Sequence, residues 1–255
     1  MHKLGTRRNI PFVWAYMLLG QVVAISVASS LFFYVMLFYP IVAHRQPSVT
    51  LLKILQLTTL GGIITVIISP FVASTDGFLP NLLVMHALLV IPLIYTSTSK
   101  SWTISNDPVD RENSIITKVS VMITSLYVMA AAANISIYIN QWMECLSTVD
   151  LGGQSLTSIA LIIVNTLIST FFGHPAQSSI SYDIVCMQLI SIAWMIVYNI
   201  DSVGKMFTIP TMALIILTPL FSASVTLPLF MAYIEAQKLI GSRDKTVIDS
   251  VKKEL

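Results

Sequence analysis

Residues 50–73 read TLLKILQLTTLGGIITVIISPFVA, and Lys53 is the only charged side chain among them. A helix needs about 20 mostly apolar residues to cross the hydrocarbon core of a bilayer. This run meets that length, and its leucine and isoleucine content suits contact with acyl chains. It therefore predicts one transmembrane helix.

The composition of the whole chain points the same way. Of its 255 residues, 55% are hydrophobic and only 10% are charged, whereas soluble domains carry about 25% charged residues. So few charges cannot cover a surface that faces water, and we expect the surface to face lipid. The formal net charge of +2 is too small to indicate a nucleic-acid partner. The two cysteines, Cys145 and Cys186, supply neither a disulfide framework nor a metal site.

Seven apolar runs of suitable length follow one another along the chain. They predict an all-α fold, a polytopic transmembrane helix bundle that occupies residues 1–255 as a single domain, with a short basic N-terminus and a C-terminal tail over 237–255. The first run is too long for the core of a signal peptide and has no small-residue cleavage site, so we expect it to be retained. The predicted spans are 11–39, 50–73, 79–96, 115–140, 156–172, 181–200 and 208–236.

The distribution of lysine and arginine predicts the orientation. An odd number of spans puts the two termini on opposite sides of the membrane. A cytosolic C-terminus then places ten of these residues in the cytosol and four on the other side. Cytosolic loops carry the excess of lysine and arginine, so a cytosolic tail is favoured. The N-terminal cluster of Lys3, Arg7 and Arg8 argues for the reverse.

The last four residues, KKEL, resemble the di-lysine retrieval signal that membrane proteins of the endoplasmic reticulum carry on a cytosolic C-terminus. A lumenal retention signal of the KDEL type is matched less well and needs the opposite orientation. The resemblance implies a multi-pass protein of the endoplasmic reticulum. The alternative is a basic tail that ends in two lysines by chance.

Several polar side chains lie inside or beside the predicted spans, where an unpaired charge is costly. For the asparagines and glutamines, hydrogen bonds between helices are the expected role. Asp183 has a structural alternative to chemistry, because the positive end of the helix dipole stabilises an aspartate in the first turn of a helix. Glu235, at a helix end, can reach the headgroups. The polar residues within the spans are Gln21, His86, Asn134, Asn165, Asp183, Gln188 and Glu235.

Helical spacing places Asp183 at the head of a stripe that also contains Met187, Ser191, Trp194 and Tyr198, all on one side of the sixth predicted helix. The seventh predicted helix aligns Glu235 with Met231, Pro228, Ser224 and Phe221 in the same way. His174 and Glu235 lie with Asp183 near one predicted membrane boundary, and His86 lies nearer the middle of the membrane. The predicted catalytic residues are Asp183, His174, His86 and Glu235, and the predicted substrate-lining residues are Trp194, Tyr198 and Phe221.

An acid beside aromatic rings in an apolar cavity suits the cyclisation of a membrane-dissolved isoprenoid. A carboxylic acid can protonate an epoxide or an alkene, aromatic faces stabilise the resulting carbocation, and the exclusion of water protects it. The sequence contains no P-loop, no HExxH, no GxSxG and no nucleotide-binding glycine motif, so we expect neither a cofactor nor a metal.

Three stretches carry a resemblance to a known family: WAYMLLGQVVAIS at 14–26, GFLPNLLVMHALLVIPL at 77–93 and HPAQSSISYD at 174–183. They resemble small multi-pass fungal proteins of secondary metabolism that include the integral-membrane terpene cyclases of the ascochlorin and ascofuranone type. The resemblance covers most of the chain. It implies a cofactor-independent cyclase or isomerase that acts on an epoxidised or hydroxylated farnesyl side chain in meroterpenoid biosynthesis. His86, His174 and Asp183 lie within the matched stretches. The chain departs from the pyripyropene-type cyclases, which rely on intramembrane acids, because its second span has only Lys53 as a charged residue.

Two other classes of protein stay open. The chain can be a non-enzymatic membrane protein of the endoplasmic reticulum that serves another enzyme as subunit or scaffold. A small-solute transporter or a seven-helix receptor is less favoured, because no internal repeat or charged relay is visible and long extramembrane segments are absent. A cavity enclosed by Asp183, His174 and the aromatic stripe separates the first two classes. A pocket of about 300–1,000 Å³ that opens to lipid or cytosol favours an enzyme, and a packed interior without a cavity favours a scaffold.

Overall fold

The chain folds into α-helices joined by short connections. The structure, a computed structural model, describes residues 8, 10–39, 46–96, 102–103, 109–147, 153, 155–203 and 207–254. Strands β1 (Gln46–Pro47) and β2 (Trp102–Thr103) form a minimal antiparallel pair. Over the described residues, the predicted all-helical class is confirmed. The helices are α1 (Val13–Val22), α2 (Ile25–Phe38), α3 (Val49–Val72), α4 (Phe78–Thr96), α5 (Val109–Ser147), α6 (Leu156–Phe172), α7 (Pro175–Val203), α8 (Ile209–Phe221) and α9 (Ala223–Glu254).

Three helical segments are long and apolar enough to cross a membrane: Val49–Val72, Lys118–Ser147 and Pro175–Asp201. The shorter apolar segments, of 10–17 residues, are Val13–Val22, Ile25–Phe38, Phe78–Pro92, Leu156–Phe172 and Ile209–Phe221. Within the described residues, length and composition thus supply three spans, and the seven that the sequence predicts are not confirmed.

Beyond its first turn, α3 turns polar side chains inward and large apolar side chains outward. α3 buries Thr58 and Thr65, while Leu57 is 69% exposed and Phe71 is 78% exposed. A helix on the surface of a water-soluble protein has the opposite arrangement, with its apolar face toward the core. In a bilayer, small and polar residues pack between helices and apolar side chains meet lipid. The outer surface of α3 is therefore suited to acyl chains.

The first predicted span, 11–39, is wrong as a single helix, because the chain folds back on itself at Val23 and Ala24. The rings of Tyr16 and Phe32 lie 5.7 Å apart, whereas an unbroken helix would separate these residues by roughly 24 Å along its axis. A Cβ placed on Gly20 would lie only 3.4 Å from the Cβ of Ala28, so the glycine permits the close approach of the two helices. α1 and α2 therefore form an antiparallel helical hairpin.

The last predicted span, 208–236, is also interrupted, and the chain turns at Ser222. Ser222 has a φ of 70°, and the hydroxyls of Thr218 and Thr226 on either side of it form a buried hydrogen bond of 2.8 Å. Pro219, in the last turn of α8, has no N–H and disturbs the helix there. α8 and α9 thus form a second hairpin.

α9 continues beyond this hairpin as a helix through the region predicted as a tail and ends at Glu254. It packs mainly against α5, while α3 packs against α4 and α2 packs against α7. Lys3 and Arg7 of the basic N-terminus and Leu255 of the KKEL sequence lie outside the described residues.

Candidate functional site

Asp183 stabilises the N-terminus of a helix other than its own. α7 begins at Pro175 and not at 181 as predicted, so Asp183 lies two turns inside the helix and outside its first turn. The backbone N–H of Ser26, in the first turn of α2, donates to Asp183 Oδ1 at 3.1 Å. The Ser26 hydroxyl donates to the same oxygen. First-turn N–H groups lack partners within their helix and attract negative charge, so the carboxylate stabilises the start of α2.

A largely apolar cavity of about 340 Å³ lies beside this contact. Its walls come from three parts of the chain, namely α7, the start of α2 and the turn between α8 and α9. The turns of both helical hairpins therefore meet at Asp183. Within the described part of the chain, no hydrogen bond reaches Asp183 Oδ2, so this oxygen is available to a molecule in the cavity. Residues that line the cavity include Asp183, Met187, Ile25, Ser222, Ser224 and Pro228.

The two stripes predicted from helical spacing share this cavity only at their N-terminal ends. Asp183 and Met187 face Ser224 and Pro228 across it. Trp194 and Tyr198, further along α7, border a different cavity, roughly 16–22 Å from Asp183 along the helix axis. Phe221 packs against Tyr138, with a ring-centroid distance of 6.4 Å. The acid and the three predicted aromatic side chains are thus not gathered in one chamber.

His174 is exposed and caps the N-terminus of α7. Its Nδ1 accepts a hydrogen bond from the backbone N–H of Ala176 at 3.2 Å, and Pro175 occupies the first helical position, where proline is favoured. Nine residues separate His174 from Asp183, which corresponds to opposite sides of the helix and about 13 Å along its axis. The structure does not bring this imidazole to the Asp183 cavity.

His86 and Glu235 also lie apart from Asp183. His86 is half-buried on α4, and its Nδ1–H donates to the Leu82 carbonyl oxygen of the same helix at 2.8 Å. Glu235 lies two turns beyond Pro228 on α9, roughly 10 Å further along the axis. It is only 2% exposed, so it is buried within the bundle and does not extend toward the headgroups. Of the four predicted catalytic residues, Asp183 alone lines the cavity.

Sequence reasoning missed the residues that complete the surroundings of Asp183. Ser26 lies in a mainly apolar stretch in which Ser29 and Ser30 are its nearest polar neighbours, and nothing in that stretch pairs it with Asp183. Ser222 had a detectable signal, because it lies among serines and threonines between Pro219 and Pro228. No group of three or more metal-ligating side chains occurs among the described residues.

Comparison of the chain with protein-family models, with curated proteins and with solved structures finds no match in any of the three.

Proposed function

We propose that the protein is a multi-pass integral membrane protein. The three long apolar helices and the outward-facing apolar side chains of α3 support a position in the bilayer. The shorter apolar helices complete the bundle, and the seven-span count stays a prediction. The KKEL resemblance and the clustered basic residues support a location in the endoplasmic reticulum with a cytosolic C-terminus.

We further propose that it is an enzyme that uses Asp183 as an acid on a hydrophobic isoprenoid substrate. The observation that carries the proposal is that Asp183 borders a largely apolar cavity of about 340 Å³ with its Oδ2 available. That volume lies within the range of about 300–1,000 Å³ that is usual for small-molecule sites. The resemblance to the membrane terpene cyclases supplies the substrate class, an epoxidised farnesyl chain.

The chemistry at this site is an isomerisation that conserves atoms and electrons. The reaction requires the protonated form of Asp183. In this form Oδ2 gives its proton to the epoxide oxygen, the C–O bond breaks and a hydroxyl forms. A double bond of the same chain attacks the carbon that is left positive and closes a ring. Loss of a proton from a neighbouring carbon to the carboxylate forms a new double bond and restores the acid. Ser26 holds Oδ1 throughout, which fixes the direction of Oδ2.

The test compares two acids of α7 in microsomes supplied with an epoxidised farnesyl phenol. We expect Asp183→Asn to abolish the cyclised product while the amount of inserted protein stays unchanged. Asp201→Asn, at the exposed C-terminal end of the same helix, is the matched control and should keep activity. Full activity of Asp183→Asn would remove this residue from the mechanism.

A subunit or scaffold without catalytic activity is the second candidate. The contact between Ser26 and Asp183 favours it, because this contact gives the carboxylate a structural role without any chemistry. If the wild-type chain forms no product and Asp183→Asn lowers only its thermal stability, the scaffold function is supported and the enzyme is not.

A further inference from the structure

A second cavity of about 340 Å³ lies near the C-terminal end of α7, far along the helix from Asp183. It opens between α7 and the end of α2 and combines opposite charges with aromatic rings and apolar side chains. Its lining includes Arg8, Asp201, Trp194, Tyr198, Leu37 and Ile200.

The Arg8 guanidinium is held by two hydrogen bonds from Nη1 and has further N–H groups that can donate to another molecule. Its Nη1 donates to the carbonyl oxygens of Met36 at 3.0 Å and Tyr39 at 2.7 Å. Its Nη2 lies 3.8 Å from Asp201 Oδ2, which is too long for a direct hydrogen bond. An arginine side chain has five N–H groups, so those on Nε and Nη2 can serve another acceptor. The Arg8 side chain is 12% exposed and that of Asp201 is 69% exposed.

Trp194 adds a buried donor that the fold does not use. Its ring stacks on Phe33, with centroids 4.5 Å apart and planes 6° apart, and the residue is only 5% exposed. Within the described part of the chain, the indole N–H has no acceptor. Buried donors in native proteins nearly always have a partner, because an unsatisfied one is costly. The nitrogen itself has almost no accessible surface, so an acceptor from a bound molecule would reach it only by displacing the side chains that cover it, and would then remove that cost.

We propose that this cavity binds the headgroup of a zwitterionic phospholipid. The phosphate accepts hydrogen bonds from Arg8 and from the Trp194 indole, in the charge-assisted geometry that arginine favours. The positively charged amine lies against the Asp201 carboxylate and the face of Tyr198. Leu37 and Ile200, which are exposed, border the start of the acyl chains. An anionic headgroup without an amine would leave Asp201 facing a negative charge.

This inference rests on the membrane location proposed above and not on the acid chemistry of Asp183. A purely structural role for Arg8 is the competing explanation, because a guanidinium stabilises the carbonyl end of a helix such as α2. That role accounts for the contacts with Met36 and Tyr39. It accounts neither for the cavity nor for the buried indole N–H of Trp194.

The experiment measures binding of radiolabelled phosphatidylcholine to the full chain, immobilised in detergent after delipidation. Unlabelled phosphatidylcholine, phosphatidylethanolamine, phosphatidylglycerol and the water-soluble glycerophosphocholine serve as competitors. Trp194→Phe keeps the ring and removes the N–H. Trp14→Phe, at a residue outside the lining of this cavity, is its matched control. Asp201→Asn removes the negative charge at an exposed position, where folding is not at risk.

We expect saturable binding that both zwitterionic lipids compete for and that phosphatidylglycerol and glycerophosphocholine compete for poorly. Trp194→Phe should weaken binding by roughly tenfold or more, the effect of losing a hydrogen bond to a charged group. Trp14→Phe should bind like the wild type. Asp201→Asn should bind phosphatidylglycerol as well as phosphatidylcholine.

Unchanged binding by Trp194→Phe, or equal competition by phosphatidylglycerol against the wild type, would overturn the proposal. Competition by glycerophosphocholine as strong as that of the lipid would also overturn it, in favour of a soluble phosphodiester. Since Asp183→Asn is scored separately for product formation, a failure here is distinguishable from a failure of the proposed enzymatic function.

Discussion

Ser26 gives both its backbone N–H and its hydroxyl to one oxygen of Asp183, across a sequence separation of 157 residues. The bond joins the turn of the α1–α2 hairpin to α7. It satisfies the N–H of Ser26, one of the groups that the interruption at Val23 and Ala24 leaves without helical partners. The hairpin and the carboxylate thus depend on one another.

Replacing Ser26 by alanine tests this dependence. Ser26→Ala removes the hydroxyl and keeps the backbone N–H, so one hydrogen bond to a charged group is lost. We expect the free energy of unfolding in detergent to fall by about 1.5–3 kcal/mol. Ser30→Ala is the control, because the exposed hydroxyl of Ser30 donates only to the Val27 carbonyl of its own helix. Equal stability of the two variants would contradict a structural role for the Ser26 contact.

A disulfide between positions 20 and 28 tests the hairpin itself. The Cβ positions of these two residues lie 3.4 Å apart, close to the separation of about 3.8 Å that a disulfide requires. We expect Gly20→Cys together with Ala28→Cys to cross-link on mild oxidation, in a chain whose Cys145 and Cys186 are replaced by serine. Mass spectrometry after proteolysis detects the bond. A single continuous helix would hold the two thiols roughly 12 Å apart along its axis and leave both free.

The turn at Ser222 predicts opposite effects of two substitutions. Ser222 has a φ of 70° and a ψ of 153°, a conformation that glycine adopts without strain. We expect Ser222→Gly to keep the free energy of unfolding or to raise it by up to about 1 kcal/mol. Ser222→Val should lower it by about 1–3 kcal/mol, because a β-branched side chain is strained there. Chemical denaturation in detergent measures both, and a valine variant as stable as the glycine variant would argue against this backbone conformation.

Glycosylation tags at the two chain ends test the orientation. Both hairpins return to the end of the bundle at which they begin, and Arg8 lies near Asp201 at the end of α7. The structure therefore places the start of the described chain and the C-terminal part of α9 at the same end. With that end in the cytosol, we expect neither an N-terminal nor a C-terminal tag to be modified in cells. If the N-terminal tag is modified and the C-terminal tag is not, the result would contradict this arrangement and support the predicted seven uninterrupted spans.

The helices that were predicted well have local causes. The predicted span 50–73 corresponds to α3 at Val49–Val72, and 156–172 corresponds to α6. Each follows a serine, Ser48 or Ser155, that caps the first turn, and each has a predominantly apolar sequence. Length and composition alone were sufficient there.

The first hairpin was missed because its cause is not local. Gly20, Gln21 and Ser26 lie close to the turn at Val23 and Ala24, but none of these residues by itself predicts a helix end, and the carboxylate that stabilises the turn lies in a distant helix. The same reason limited the site: Asp183 stood out as an acid among apolar residues, but its cavity depends on two turns that periodicity does not reveal. Pro219 and Ser222, in contrast, gave a usable sign of interruption.

The α1–α2 hairpin also determines at which end of the bundle the N-terminal basic residues lie. Because the hairpin returns, Arg8 lies beside Met36 and Tyr39, shortly before the helix whose first turns carry Lys53. Leu52 packs against Val119, so Lys118 joins the same end, while the acids Asp76 and Glu144 lie at the far ends of α3 and α5. This arrangement puts the N-terminal charges at the same end of the bundle as the C-terminal part of α9, so these charges no longer oppose a cytosolic C-terminus. Although Asp201 lies beside Arg8 at the basic end, the bundle keeps a more positive end and a more negative end, which an anionic leaflet and a membrane voltage would both act to align.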